Sequence, residues 1–186
     1  MNITISWRAE KEYPRPKLVR LKKMLQKASL FAGTGIRENE TLVLTFLSSD
    51  RMAEVNWDFL RHKGDTDVIC FDYRESKSLI PGVPEDFSGG IEGEEDDESR
   101  EVVELLICPA VAAREAGKRD LPYSRELILY MVHGLLHASG YDDLSPELKR
   151  KMRRAEKRVL TALEKDFVFT DIIAEPADLS GQKGLS

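Results

Sequence analysis

The sequence is poor in the residue types on which several protein classes depend. Its 186 residues include only two cysteines, Cys70 and Cys108, which excludes a disulfide-stabilised scaffold and a four-cysteine zinc site. No apolar run reaches the ~18 residues that a membrane span needs, and the N-terminus lacks the pattern of a signal peptide. There are no internal repeats. We therefore expect a cytoplasmic protein of the reducing compartment, without a membrane partner.

Basic side chains are outnumbered by acidic ones, 28 against 33, but many of them lie in two stretches. The formal net charge is −5, yet residues 85–101 alone carry −8, so the rest of the chain carries +3. Residues 11–27 and residues 149–158 each contain seven Lys and Arg side chains. Basic faces of this density neutralise phosphates, which favours a nucleic-acid partner, although an ordinary solvated helix face has the same pattern. The acidic stretch, flanked by Pro and Gly, predicts a mobile loop inserted at 74–100.

Hydrophobic periodicity predicts an α+β fold with about four strands. The expected strands are 2–8, 40–47, 66–73 and 101–108, and the expected helices are 16–32, 51–62, 110–116, 125–139 and 146–165. Ser124 and Ser145 are predicted N-caps, and Gly117 is a predicted helix stop. These elements form one domain over 1–165, followed by a weakly structured tail over 166–186.

Two of the three histidines lie four residues apart on a predicted helix. This spacing places His133 and His137 one turn apart on one face, where both imidazoles can bind the same ion. Gly140 follows where the chain leaves the helix, and Asp143 falls where zincins place their third ligand. Three protein ligands with an open position are typical of catalytic zinc. We therefore predict a zincin-like helix that binds one Zn²⁺, or another divalent ion, through His133, His137 and Asp143.

The residue after the first histidine separates this site from that of a metalloprotease. A metalloprotease has a glutamate general base there, whereas this chain has Gly134. Asp142 is the alternative to Asp143 as third ligand; its other expected role is to cap the turn or to support the site from outside. The two cysteines lie on predicted strands, and we expect them to be buried, inert thiols.

Several segments of the chain resemble the YbeY family of bacterial rRNA maturation factors. Residues 133–143 read H-G-L-L-H-A-S-G-Y-D-D, against the family signature H-G-x-L-H-x-x-G-Y-D-H, and seven of the eight specified positions agree. Residues 56–63 are similar to the family's L-N-x-x-F/Y-R-x-K segment, and residues 66–71 to its T-D-V-L-S-F segment. The resemblance covers about residues 1–165, and it implies the fold of the family, a small mixed sheet flanked by helices.

This resemblance implies a single-strand-specific, metal-dependent endoribonuclease of ribosome biogenesis, acting on the 3′ end of the small-subunit rRNA. His133 and His137 match the first two metal ligands of the family, and Asp143 matches the third, which is usually histidine. Arg61 matches an arginine of the family's active cleft. The resemblance thus gives Arg61, His133 and His137 as catalytic residues, and single-stranded RNA and the small ribosomal subunit as partners.

Two other functions stay open at this point. Asp143 in place of histidine is compatible with a ribosome- or RNA-associated factor whose metal site is structural or degenerate. A zincin-like peptidase is a weaker alternative, because Gly134 stands where its general base belongs.

Overall fold

The computed structural model describes residues 1–74 and 100–177, and its α+β architecture confirms the predicted fold class. The strands are β1 (Asn2–Arg8), β2 (Glu40–Leu47), β3 (Val68–Asp72) and β4 (Arg100–Ile107). The α-helices are α1 (Leu18–Ala32), α2 (Ser49–Val55), α3 (Pro109–Arg119), α4 (Tyr123–His137) and α5 (Pro146–Leu163). A π-helical segment, Asn56–Leu60, continues α2, and a 3-10 helix, Phe169–Asp171, follows α5. Apart from its two ends, the predicted acidic loop lies outside the described residues.

The sheet is mixed, in the order β1-β2-β4-β3. β1, β2 and β4 run parallel, and β3 pairs antiparallel with the edge of β4. The central strand β2 is buried on both faces, since Leu42, Leu44 and Phe46 are buried on one face, and Thr41, Thr45 and Leu47 on the other. A strand buried on both faces reads as a continuous apolar run, which is why 40–47 was predictable.

Helix α4 is the most enclosed element of the fold. It contacts α1, α3 and α5 as well as strands β3 and β4. Eleven of its fifteen residues are buried, as expected for a helix that is apolar on most sides. The histidines of interest therefore project from a helix whose position is fixed by packing on several sides.

Several predicted helix ends differ from the structure. α3 continues through Gly117 to Arg119, and the following residue, Asp120, takes a left-handed backbone with φ of 51°. The helix predicted at 51–62 begins at Ser49, directly after its cap Ser48. Its π-helical continuation ends at Leu60, and Arg61 takes a left-handed φ of 57°. α4 begins at Tyr123 after Pro122, so Ser124 lies inside its first turn and does not cap it.

The prediction of a loose tail is wrong for residues 166–177. Phe169, Ile172 and Ile173 are buried in the core, and the carbonyl oxygen of Ile172 accepts a hydrogen bond from the backbone N–H of Lys17 at 2.8 Å. The Glu175 carboxylate accepts the first amides of α4, at 2.7 Å and 3.0 Å, and so supplies the cap that was expected from Ser124. Residues 178–186 lie outside the described part. Among the helices of 1–74 and 100–177, none is both long and apolar enough to cross a membrane.

Candidate metal centre

Gly134 allows α4 to lie directly against the sheet. A Cβ atom at this position would come within 2.7 Å of a Leu105 side-chain carbon and within 3.2 Å of one from Val68. Leu105 is fully buried and has little room to move. A side chain at this position would therefore collide with β3 and β4, so the glutamate that a metalloprotease has after its first histidine does not fit here without displacing Leu105.

The side chains of His133 and His137 meet on one face of α4. Their Nε2 atoms are 2.9 Å apart, with the ring planes nearly perpendicular. The Nδ1 atom of His133 is 2.6 Å from Oε1 of Glu156, and that of His137 is 3.0 Å from the carbonyl oxygen of Tyr141. A carboxylate and a carbonyl only accept, so both Nδ1 atoms carry the proton and donate it. The Nε2 lone pairs therefore converge on one point.

The two histidines have opposite pKa shifts. Burial disfavours the charged form of His133, but the hydrogen bond and charge of Glu156, with the charges of Asp67 and Asp143, outweigh burial and raise its pKa. Burial and the neighbouring charge of His133 lower the pKa of His137, although Asp143 opposes this effect. Of the two rings, His133 is therefore the one that keeps a proton up to the higher pH.

The turn after α4 contains two aspartates, Asp142 and Asp143, whose side chains make different contacts. Gly140 takes a left-handed φ of 84°, which turns the chain back toward the histidines. Oδ1 of Asp142 accepts the backbone N–H groups of Asp143 at 2.6 Å and of Leu144 at 3.2 Å, so this carboxylate caps the turn. The Asp143 side chain lines the same cavity as His133.

A cavity of about 460 Å³ opens beside His133, between α3, α4 and α5. Asp67 at the start of β3 and Glu156 of α5 contribute to its wall. Lys149 and Arg153, both exposed on α5, border it as well. His133 thus faces a space that solvent and a ligand can enter.

Arg61 is the third residue for which the resemblance implies a catalytic role. It follows the π-helical segment with its side chain exposed, and it is not among the described residues that line the cavity at His133. Its catalytic role stays a prediction. The cysteines follow the expectation of inert thiols: burial raises the pKa of Cys70 to about 12 and that of Cys108 to about 11, so both remain protonated.

Sequence reasoning gave no role to several residues that shape the site. The Glu156 carboxylate fixes the ring of His133 from a helix 23 residues further along the chain. The buried Glu126 pairs with Arg119 at 2.7 Å in the same cavity. Glu126 could have been found from the sequence, because a spacing of seven residues places it on the same face of α4 as His133.

The donor set of the site fits a divalent cation. Two unprotonated nitrogens facing each other at 2.9 Å repel unless a proton or a cation lies between them. Imidazoles held through Nδ1 by a carboxylate and a carbonyl are the form in which histidine binds zinc. Within 1–74 and 100–177, no group of three His, Cys, Asp or Glu side chains is arranged to hold a metal ion, so Asp143 as third ligand stays a prediction.

An α+β domain with two convergent imidazoles beside an open cavity is an arrangement that metal-dependent hydrolases use. A family profile described as Endoribonuclease YbeY matches residues 7–164. The chain belongs to the YbeY family, and the resemblance drawn from residues 133–143 is confirmed.

Individual relatives are similar over most of the domain. Endoribonuclease YbeY of Salinibacter ruber is 36% identical over 123 residues, which are 66% of this chain and 69% of that protein. Endoribonuclease YbeY of Micrococcus luteus is 27% identical over 150 residues, which are 81% of this chain and 84% of that protein. The solution structure of TM1509 from Thermotoga maritima matches 88% of this chain and 93% of that one, at 20% identity and a TM-score of 0.49.

Proposed function

We propose that this chain, an endoribonuclease of the YbeY family, cleaves single-stranded RNA in rRNA maturation with a divalent cation held by His133 and His137. The enzyme class follows from family membership. The observation that supports the metal is the convergence of two Nε2 atoms at 2.9 Å, each on a ring whose Nδ1 proton is already donated. Zinc is the ion that we expect, with Asp143 as the third ligand.

The protein's own residues prepare the site for this chemistry. When bound, a divalent cation supplies a Lewis acid for a phosphate and lowers the pKa of a water. Glu156 holds the ring of His133 and keeps its proton on Nδ1, and the Tyr141 carbonyl does the same for His137. Because Gly134 leaves no glutamate base beside the pair, a peptidase mechanism lacks a residue that it needs.

The surface around the site supports an RNA substrate. Seven Lys and Arg side chains of α5 are exposed, and two of them, Lys149 and Arg153, border the cavity that His133 lines. A basic helix next to the reaction site attracts a polyanion and positions its backbone. As the working substrate we propose the 3′ end of the small-subunit rRNA in the cytoplasm, and as the partner the small ribosomal subunit.

Cleavage of a labelled single-stranded RNA by the zinc-loaded protein tests this function. His133→Ala is expected to abolish cleavage and to lower bound zinc from about one ion per chain toward zero. His62→Ala is the matched control, because His62 is exposed and lies outside the cavity, so it is expected to leave both values unchanged. Equal cleavage by the wild type and His133→Ala would contradict the proposal. RNA binding by the wild type without any cleavage would favour the binding-factor alternative.

A further inference from the structure

The cavity beside His133 extends along α4 to a pair of residues that the chemistry at the histidines does not use. Glu126 lies two turns before His133 on the same face, about 10 Å away along the helix axis. Arg119, at the end of α3, lines the same space. The pair therefore lies within the reach of a nucleotide that neighbours the reacting one.

Glu126 is a fully buried carboxylate with one oxygen satisfied. Its Oε1 accepts from Nη1 of Arg119 at 2.7 Å, and its Oε2 has no hydrogen-bond partner among the described residues. Burial raises the pKa of Glu126, while the charge of Arg119 and the nearby hydroxyl of Tyr130 act against that rise. Of the buried side-chain atoms without a partner in 1–74 and 100–177, the Glu126 oxygen is the one whose residue lines this cavity.

Arg119 is held in place but remains accessible. Its side chain is 52% exposed, and besides Glu126 it contacts Glu115, with Nη2 to Oε2 at 3.3 Å. A guanidinium has five N–H donors, so these two bonds leave donors free toward the cavity. The buried carboxylate thus orients a planar donor group in advance of binding.

The charges of the cavity wall favour a nucleobase over a phosphate at this position. The Glu115 and Glu126 carboxylates both contact the Arg119 guanidinium, so two negative charges already face one positive charge at this position. A phosphate would meet net repulsion, whereas a neutral base with hydrogen-bond acceptors would not. Leu129 and Met152 add apolar wall against which a ring can pack.

We propose that Arg119 reads a guanine of the RNA substrate by donating to its O6 and N7 atoms. Guanine presents these two acceptors side by side, and a paired arginine donor is their commonest partner, whereas adenine has an amino group in place of O6. Glu126 acts as a positioning residue, because it orients Arg119 without needing to touch the base. The inference rests on the proposed function, since it concerns the RNA bound for cleavage at His133.

The test uses short single-stranded RNAs that contain one guanosine in an otherwise uridine strand. We expect cleavage near the guanosine, and a rate roughly tenfold to a hundredfold lower when 7-deazaguanosine, which lacks N7, replaces it. Inosine keeps both O6 and N7, so it is expected to be cleaved like guanosine. Equal rates for guanosine and 7-deazaguanosine would overturn the inference. Failure of the wild type to cleave any of the RNAs would instead contradict the proposed function.

Variants of Arg119 and Glu126 test whether these two residues cause the preference for guanosine. Arg119→Gln is expected to remove the difference between guanosine and 7-deazaguanosine, and Glu126→Gln to reduce it. Lys118→Gln is the matched control, because Lys118 also contacts Glu115 but does not line the cavity. A full preference for guanosine in Arg119→Gln, or its loss in Lys118→Gln, would contradict the assignment.

Discussion

Helices α4 and α5 pack against each other and both contribute to the site, yet they are built differently. α4 is buried on most sides, and distant residues hold both of its ends: Glu175 accepts its first amides, and Arg74 donates to Ala138 just beyond its last turn, at 2.5 Å. α5 buries one stripe, exposes a basic face and begins at its own cap, Ser145. The comparison indicates that α4 fixes the position of the histidines, while α5 orients one ring and attracts the substrate.

The largest expected effect comes from disturbing the packing of α4. Gly134→Glu forces a carboxylate against Leu105 and Val68, and we expect a loss of more than about 3 kcal/mol in the free energy of unfolding. Lys157→Glu on the exposed face of α5 is the control and is expected to change stability by no more than about 0.5 kcal/mol. Urea denaturation measures both. A Gly134→Glu variant that is as stable as the wild type would contradict the close packing of α4 against β3 and β4.

The contribution of α5 to the metal site depends on Glu156. Glu156→Gln removes the charged acceptor that holds Nδ1 of His133, and we expect zinc affinity to fall about 10- to 100-fold. Glu147→Gln, on the same helix but paired only with Lys151 at the surface, is expected to leave the affinity unchanged. Competition against a chromogenic chelator measures both constants. Equal affinities in the two variants would show that the Glu156 contact does not tune the site.

The basic face of α5 is expected to matter more for RNA than the basic face of α1. Lys149→Glu with Arg153→Glu changes two cations at the cavity, and should weaken RNA binding and reduce the slope of log affinity against log salt by about 1.4. Lys22→Glu with Lys23→Glu makes the same charge change on α1. Fluorescence anisotropy at several salt concentrations measures the slopes. Equal effects of the two pairs would indicate attraction by overall charge alone.

The caps of the two helices differ in where they come from. Glu175→Ala removes an acceptor of two α4 amides and is expected to cost about 1–2 kcal/mol, because it also releases the chain segment that follows Ile173. Ser145→Ala removes a single local bond of 3.2 Å from α5, and should cost about 1 kcal/mol or less. Thermal unfolding compares them. A larger loss in Ser145→Ala would reverse the view that α4 depends on distant contacts.

The smallest effect concerns pH and the anchor at the end of α4. Burial acts to raise the pKa of Asp72, but its hydrogen bonds and charge interaction with Arg74 outweigh burial and lower it. The pair therefore contributes stability above the ordinary aspartate pKa of about 3.9, and loses it as pH falls through the lower native value. Asp72→Asn is expected to cost about 1 kcal/mol at pH 7 and progressively less below about pH 4. If Asp72→Asn lowered the free energy of unfolding by the same amount at every pH, the Asp72–Arg74 pair would be excluded as the source of the loss.

The two helices also show what was predictable from sequence. The start of α5 was predicted correctly, because Ser145, Pro146 and Glu147 are adjacent and their effect is local. The start of α4 was wrong, because its cap comes from Glu175, about fifty residues away. The tail was wrong for the same reason: Ile172 and Ile173 find their partners only once the core has formed.

The same distinction, between local effects and contacts of residues far apart in the chain, applies to the candidate site. Residues within one helix turn of each other, His133 and His137, could be paired from spacing alone, and Gly140 could be placed from its backbone freedom. The contact between His133 and Glu156 depends on how α5 packs on α4, which periodicity does not give. The packing reason for Gly134 likewise became visible only with Leu105 beside it.

Anomalous diffraction at the zinc absorption edge, from crystals grown with zinc, tests the central claim most directly. The account predicts a peak at bonding distance, about 2.0–2.1 Å, from Nε2 of both His133 and His137. A pair of histidines that stay hydrogen-bonded to each other, with no anomalous peak between them at saturating zinc, would contradict it.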